Sequence, residues 1–242
     1  MTYIILSAGK GAKLQPLTLN HPKSLYKLDD KTTILQRLVR MIRKFDAEAE
    51  IVVVVGYMYK HIQHELEDDN VKFVHNPFYS VTSSMGSLWF ARDYLQRENV
   101  TIINGDIVAS DKLFLDVICQ HTDYPYVLLD STRRDANKYN VQVQGEMVCV
   151  MSKNLTDYMG NYASASKLDA VSSRFLLEQL SQMVNDGMYN LFYEDALVQM
   201  IFQKNFELYY KDIKEYEWTE VDCVDDLLKA RQIQAESEIY SC

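Results

Sequence analysis

The segment Ser7-Ala8-Gly9-Lys10-Gly11-Ala12-Lys13-Leu14-Gln15-Pro16-Leu17-Thr18, followed by His21-Pro22-Lys23-Ser24-Leu25, has the residue types that bind phosphate. Glycines let backbone N–H groups come close to an anion, and successive N–H groups can form an anion-binding concavity. Lys10, Lys13 and Lys23 add three positive charges within fourteen residues of an acidic chain. A polyphosphate site is the chemistry this suggests, although a solvated lysine-bearing loop has the same composition. Two common phosphate patterns do not fit. GxxxxGK[ST] is absent, and Leu14 stands where GxGxxG needs its third glycine. The next strand-like run ends in Gly56, where a dinucleotide site would have an acidic residue. Further on, Asp106 follows a strand-like run in Asn104-Gly105-Asp106, and Asp222 lies in Thr219-Glu220-Val221-Asp222-Cys223. Aspartate is also common in turns and at helix N-caps, so a local structural role stays open for both.

These residues need elements to bring them together. Short apolar runs at Thr2–Ser7, Ile51–Val55, Val71–Val74, Val100–Asn104 and Tyr126–Leu129 read as strands. Helical spacing over Ile34–Phe45, and less clearly over Tyr57–Leu66, Gly86–Leu95 and Asp111–Cys119, alternates with them. That order predicts an α/β fold, with a mixed, mainly parallel sheet and helices on both faces. In such sheets ligands bind at the carboxyl ends of strands, near a topological switch point. The loops after Ser7, Gly56, Val74 and Asn104 are then the ones to inspect. The second half reads as a hairpin (Val141–Gln144 and Met147–Met151), a short strand Ala163–Ala165 and a strand Glu207–Tyr210. Helices are expected at Ala170–Val184, Tyr193–Phe202 and Asp222–Ile233, with Asp222 near the last N-cap. With no linker-like stretch, the expectation is a single domain over 1–242, with a variable, substrate-facing second half after residue 130.

Composition narrows the classes. The 242 residues include 25 Lys+Arg and 34 Asp+Glu, a net charge of −9 that argues against a nucleic-acid coat protein. A hydrophobic share of 48% with 24% charged residues is that of a globular protein rather than a disordered one. No apolar run approaches the roughly 20 residues that span a bilayer. Met1 leads directly into YIIL with no basic region or cleavage site, so no signal peptide and a cytoplasmic location are expected. Cys119, Cys149, Cys223 and Cys242 are scattered without a CxxC pair, which gives a zinc site no support.

LSAGKGAKLQPLTLNHPKSL resembles the signature LxAGxGxRLxPLTxxxPKxL of the sugar-1-phosphate nucleotidylyltransferases, with the Pro-Leu-Thr and Pro-Lys elements in register. Val55-Gly56-Tyr57, Asn76-Pro77-Phe78-Tyr79, Gly105-Asp106, Glu194-Asp195 and a late acidic site follow in matching order. The resemblance is strong at residues 4–28 and loose after 130. It implies a Rossmann-like nucleotidyltransferase fold of GT-A type. It also implies a catalytic magnesium ion held by Asp106 and Asp222, a pairing that suits a hard cation sharing its shell with phosphate oxygens. By the same resemblance, Lys13 and Lys23 are catalytic. Leu6, Ala8, Gly9, Gly11, Lys13, Ser84, Gly86 and Gly105 would contact the nucleotide. Lys23, Lys153, Tyr193, Glu194 and Asp195 would contact the acceptor.

One departure stands out: Lys13 takes the place of the usual arginine, keeping the charge but losing the planar bidentate fork. The short chain looks like the bacterial branch that includes phosphocholine cytidylyltransferases, which implies CTP and a small phosphorylated or phosphonylated acceptor. Phosphocholine is the first expectation, ahead of aminoethylphosphonate or a phosphorylated amino acid. Tyrosine is abundant, 17 residues in all, and aromatic walls attract quaternary ammonium groups. Tyr139, Tyr158, Tyr162, Tyr193, Tyr216 and Trp218 are candidates for such a wall. Two alternatives stay open: a uridylyl- or thymidylyltransferase acting on a sugar-1-phosphate, and an inactive nucleotide-binding relative.

Overall fold

The computed structural model describes residues 1–135 and 138–239. The β-branched runs form strands covered on both faces, so their side chains divide between two cores. In β1 (Thr2–Ser7), Tyr3 and Ile5 join the core under α1 (Ile34–Phe45), while Ile4 joins the opposite one. β2 (Glu50–Val55) and β4 (Asn99–Asn104) divide likewise: Val53 and Ile103 lie on the first side, Val54 and Ile102 on the second. This is the two-residue alternation of a strand. On α1 the helical period instead buries Ile34, Leu35, Leu38, Val39 and Ile42, each worth about 1.5–3 kcal/mol when removed from water. Thr33 begins the helix: its hydroxyl accepts from the Gln36 amide, and the Gln36 side chain accepts from the Thr33 amide.

With β3 (Lys72–His75), these strands make a parallel block in the order β3-β2-β1-β4. The chain leaves β1 on one side for β2 and β3, then returns on the other side as β4. The carboxyl ends of β1 and β4 therefore flank a crevice, the switch point at which such sheets take ligands.

The sheet continues through the second half. β6 (Tyr126–Asp130), β7 (Asn140–Gln144), β8 (Met147–Ser152), β9 (Gly160–Asp169) and β10 (Tyr209–Asp212) extend it to β3-β2-β1-β4-β9-β6-β10-β8-β7. Only β8 and β9 run against the direction of β1, so the sheet is mixed and mainly parallel. β5 (Ile107–Ala109) and β11 (Trp218–Glu220) form a separate antiparallel ribbon. The remaining helices are α2 (Tyr59–Glu65), α3 (Ser84–Phe90), α4 (Asp111–Leu113, continued by a π turn), α5 (Ala170–Asn185), α6 (Tyr193–Lys204) and α7 (Val224–Ile239). None of the described helices is long and apolar enough to cross a membrane. Cys119, Cys149 and Cys223 are free thiols, and Cys242 lies outside the described residues.

Three differences from the sequence reading have physical causes. The expected short strand Ala163–Ala165 is the ten-residue β9 at the centre of the sheet. Its polar residues conceal it, because they are buried with partners. Lys167 is 1% exposed and donates to the Ile118 carbonyl at 2.7 Å and to Thr101 Oγ1 at 3.2 Å, while burial lowers its ammonium to about 8. β5 and β11 are too short to announce themselves, yet β11 carries Glu220 and leads into Asp222. Finally, Asp222 does not cap the last helix. Asp226 takes that work, accepting from the Asp222 and Cys223 amides at 2.9 Å each, which leaves the Asp222 carboxylate free for other partners. α7 is moored to α1 by the buried Arg37, whose Nε donates to Gln234 Oε1 at 2.8 Å.

Candidate active site

A cleft of about 510 Å³ opens at the β1–β4 crevice, with Ala8, Gly9, Lys23, Ser84, Asp106 and Glu194 among its walls. Its floor is set by close backbone approaches. The Gly105 amide donates to the Leu6 carbonyl at 2.9 Å, and the Tyr57 amide to the Ala8 carbonyl at 3.0 Å. A Cβ on Gly56 would stand 2.6 Å from Tyr79 Cβ and 2.8 Å from the Ala8 oxygen, so this strand end requires glycine. Gly9, by contrast, has open space where a Cβ would be, facing the cleft. Gly11 turns the loop with φ +63°, a region that favours glycine, and its carbonyl accepts from Thr18 Oγ1 at 2.8 Å. Asn76 is fully buried and fully used. It donates to Thr82 and Ser87 at 3.0 Å and accepts from the Phe78 amide at 2.9 Å, which fixes the Asn-Pro-Phe-Tyr turn beneath the cleft.

Three lysines and three carboxylates converge at the mouth. Lys23 Nζ bridges Asp106 Oδ2 and, at 3.0 Å, Asp222 Oδ1. Lys13 reaches Asp222 Oδ2 at 2.9 Å. Lys138 pairs with Glu220 and, at 2.6 Å, with Asp222 Oδ2. Asn104 Nδ2 donates to Glu220 Oε1 at 3.2 Å. Burial would lower the Lys23 ammonium, but Asp106 and Asp222 hold it above its ordinary value. Burial would raise Asp222, but Lys23 and Lys138 hold it well below the usual carboxylate range. Asp106 differs: burial raises its carboxyl, and its Oδ1 has no hydrogen-bond partner among the described residues.

Of the acceptor candidates, Lys23 and Glu194 line the cleft. Phe192, just before α6, lines it as well, and Glu194 is 4% exposed. Lys153, after β8, places its ammonium 3.7 Å from the centre of the Phe192 ring and 5.3 Å from that of Tyr139. Tyr139 meets Phe192 edge-on and donates to Asp195 Oδ1 at 2.9 Å.

A profile of the MobA-like NTP transferase domain matches residues 3–183. The chain belongs to that family. Choline-phosphate cytidylyltransferase of Streptococcus pneumoniae is 24% identical over 234 residues, 96% of this chain and 98% of that one. CTP:phosphoglutamine cytidylyltransferase of Campylobacter jejuni is 24% identical over 94% of this chain and 98% of its own. A solved structure of CTP:phosphocholine cytidylyltransferase from Streptococcus pneumoniae superposes with a TM-score of 0.79 at 20% identity, covering 96% of this chain and 98% of that one. This MobA-like NTP transferase is thus an enzyme of nucleotidyl transfer with the α/β fold its sequence resembles.

Within this NTP transferase the predicted residues divide by location. Leu6, Ala8, Gly9, Gly11, Lys23, Ser84, Gly105, Asp106 and Glu194 line one cleft. Lys13 and Asp222 join them through the ion-pair cluster. Gly86 is not on the wall: it is buried in α3, where a Cβ would stand 2.6 Å from Thr82 Cβ. Tyr193 points away from the cleft, fully buried, bonded to Tyr162 and, at 3.1 Å, to Ser166. Asp195 serves α6 itself, accepting from the Phe192 amide at 3.0 Å. Of the aromatic candidates, Tyr139 stands beside the cleft. Tyr162 is in the core, Tyr158 lies against Arg134, Tyr216 against Lys112, and Trp218 is held by Asp130 and Arg133. Sequence reading did not single out Lys138 or Phe192. Nothing in Lys138's neighbours marks it, because its partners are more than eighty residues away. Phe192 could have been found from its place before Glu194-Asp195.

Proposed function

We propose that this NTP transferase moves a cytidylyl group from CTP to a small phosphorylated or phosphonylated acceptor and releases pyrophosphate, with magnesium as cofactor. The names of its two full-length relatives support the cytidylyl group. The observation that carries the reaction is Lys23 bridging Asp106 and Asp222 at the β1–β4 switch point. That arrangement supports the reading, because it gathers one cation and two carboxylates at the switch point where sheets of this kind take ligands.

The donor set fits magnesium. Two carboxylates lie within the span of one ammonium, and Asp106 Oδ1 is buried without a partner, a hard oxygen available to a cation. Asp106 and Asp222 would hold it, and it would neutralise charge on the phosphates.

The rest of the chemistry is positioning. An oxygen of the acceptor's phosphate attacks the α-phosphorus in line, and the bond to the bridging oxygen of pyrophosphate breaks. Lys23 steadies the α-phosphate and the incoming acceptor. Lys13 is 61% exposed, so its ion pair with Asp222 is weak and exchangeable, and the ammonium can follow the leaving pyrophosphate. The glycine loop and Ser84 face the nucleotide, and the Phe192 end faces the acceptor. No protein nucleophile is required.

The test is pyrophosphate release with magnesium, crossing the four common NTPs with phosphocholine, aminoethylphosphonate, O-phosphoserine and glucose-1-phosphate. Release confined to CTP with a non-sugar acceptor is the expected result. Turnover of UTP or dTTP with the sugar phosphate overturns the base assignment. Calorimetric nucleotide binding without release from any pair overturns the reaction.

A further inference from the structure

Two side chains beside Phe192 have a polar group with no protein partner among the described residues, one buried and one exposed to water. Glu194 is 4% exposed, lines the cleft, and its Oε2 has no hydrogen-bond partner among the described residues. A buried oxygen left in this way costs about 1–3 kcal/mol, and more if the group is charged, so such atoms mark places where a partner is expected. Lys153 is the reverse: an exposed ammonium with three donors, resting on the Phe192 and Tyr139 rings, with no carboxylate or hydrogen-bond acceptor among the described residues. The two do not form an ion pair: burial and then the like charge of Lys13 lower the Lys153 ammonium, and Glu194 and Asp195 only partly offset them. Asp195, the nearest alternative partner, is occupied by Tyr139 and the Phe192 amide.

We infer that the acceptor's headgroup carries both signs: an ammonium whose N–H groups donate to Glu194, and a carboxylate that takes the Lys153 ammonium, as in a phosphorylated amino acid. This rests on the reading of the cleft as the transferase site and narrows it. A quaternary ammonium suits the pair poorly. It has no N–H for Glu194 Oε2, and it would compete with Lys153, a like charge, for the same aromatic surface. A headgroup with only a carboxylate would leave Glu194 Oε2 without a partner, and one with only an amine would leave Lys153 to water and forgo its charge. Burial pushes the Glu194 carboxyl up to about 8, against its own backbone amide, so it enters the site as a neutral group that an arriving ammonium would ionise.

Calorimetric titration of the full chain with CTP and magnesium tests this apart from turnover. The probes are O-phosphoserine (both charges), phosphoethanolamine (ammonium only), 3-phosphoglycerate (carboxylate only) and phosphocholine (quaternary ammonium only). O-Phosphoserine should bind at least tenfold more tightly than each of the others. Lys153→Met, a change at an exposed position, should remove that advantage over phosphoethanolamine and bring phosphocholine closer. Glu194→Gln should remove the advantage over 3-phosphoglycerate. Phosphocholine binding as tightly as O-phosphoserine, or a Lys153→Met variant that keeps the wild-type order, overturns the inference. Pyrophosphate release in the same samples reports the reaction separately. Failure of every probe to turn over would count against the proposed reaction, while the order of binding would still decide the headgroup.

Discussion

Lys13, Lys23 and Lys138 meet Asp106, Glu220 and Asp222 in one ion-pair cluster at the cleft, whereas Lys153 and Glu194, beside Phe192, form no ion pair. The first region is a balanced set of counter-ions. A triphosphate with its cation can enter by exchanging partners, so charge need never stand uncompensated in a poorly solvated crevice. The second region has no ion pair: burial holds Glu194 neutral, and Lys153 is exposed to water. The difference teaches a division of labour. On the proposed function, the groups that serve the phosphates are positioned by pairing with one another, and the groups that choose a headgroup stay available.

Lys23→Met and Asp106→Asn test the paired end most severely. Each should lower turnover by about a hundredfold or more, in line with the loss of one preorganised charge at a reacting phosphate, while circular dichroism stays that of the folded chain. Near-normal turnover in either variant would remove that end from the chemistry. The loop that frames it should respond unevenly. Gly56→Ala forces a Cβ to within 2.6 Å of Tyr79 and should cost about 1–3 kcal/mol in denaturant melts. Gly9→Ala meets nothing and should stay within about 0.5 kcal/mol. If the nucleotide lies against that loop, Gly9→Ala should nevertheless raise the KM for CTP.

At the unpaired end, Glu194 gives a pH signature. Its carboxyl goes from 4.5 to about 8 in the folded chain because it is buried. Below pH 4.5 both states hold the proton, and the group has no effect on stability. Between 4.5 and about 8 the unfolded chain ionises while the folded chain does not, so stability falls as pH rises, and the deficit is constant above that window. Glu194→Gln removes the slope. Its melting temperature should match wild type near pH 4.5 and exceed it by roughly 10 °C at pH 8. Parallel melting curves across that range would show that Glu194 is solvated after all. The smallest effect is expected for Lys13→Arg. The exposed side chain has room for the larger group, and turnover should change by no more than about threefold, because the position needs a positive charge more than a fork. A large loss would mean that the ammonium's geometry at Asp222 matters.

Much of the fold was legible in the sequence. Ile51–Val55 and Val100–Asn104 are apolar enough to be buried on both faces, and the single stripe of Ile34–Phe45 leaves no other element than a helix. β9 was not legible beyond its Ala163–Ala165 centre, because Asn161, Ser164, Ser166 and Lys167 are polar by type and buried only because other strands supply their partners. The site divides in the same way. The glycine loop, Lys23 and Asp106 follow strand ends and could be placed by local rules. Tyr193, Gly86 and Asp195 could not, since their side of the helix is set by what packs against it.

The sequence by itself determined the block of parallel strands, the glycine loop after β1, and the family the chain belongs to. These depend on residue type and short-range spacing, which a linear chain displays directly. Only the tertiary structure decided that Lys138, far from its partners in sequence, closes the carboxylate cluster, and that Asp226 relieves Asp222 of capping. It alone decided that Lys153 and Glu194 stand near each other without pairing. Ionic and hydrogen-bond partnerships form between atoms a few ångströms apart in space, and sequence separation carries almost no information about that distance once a sheet has brought remote strands together.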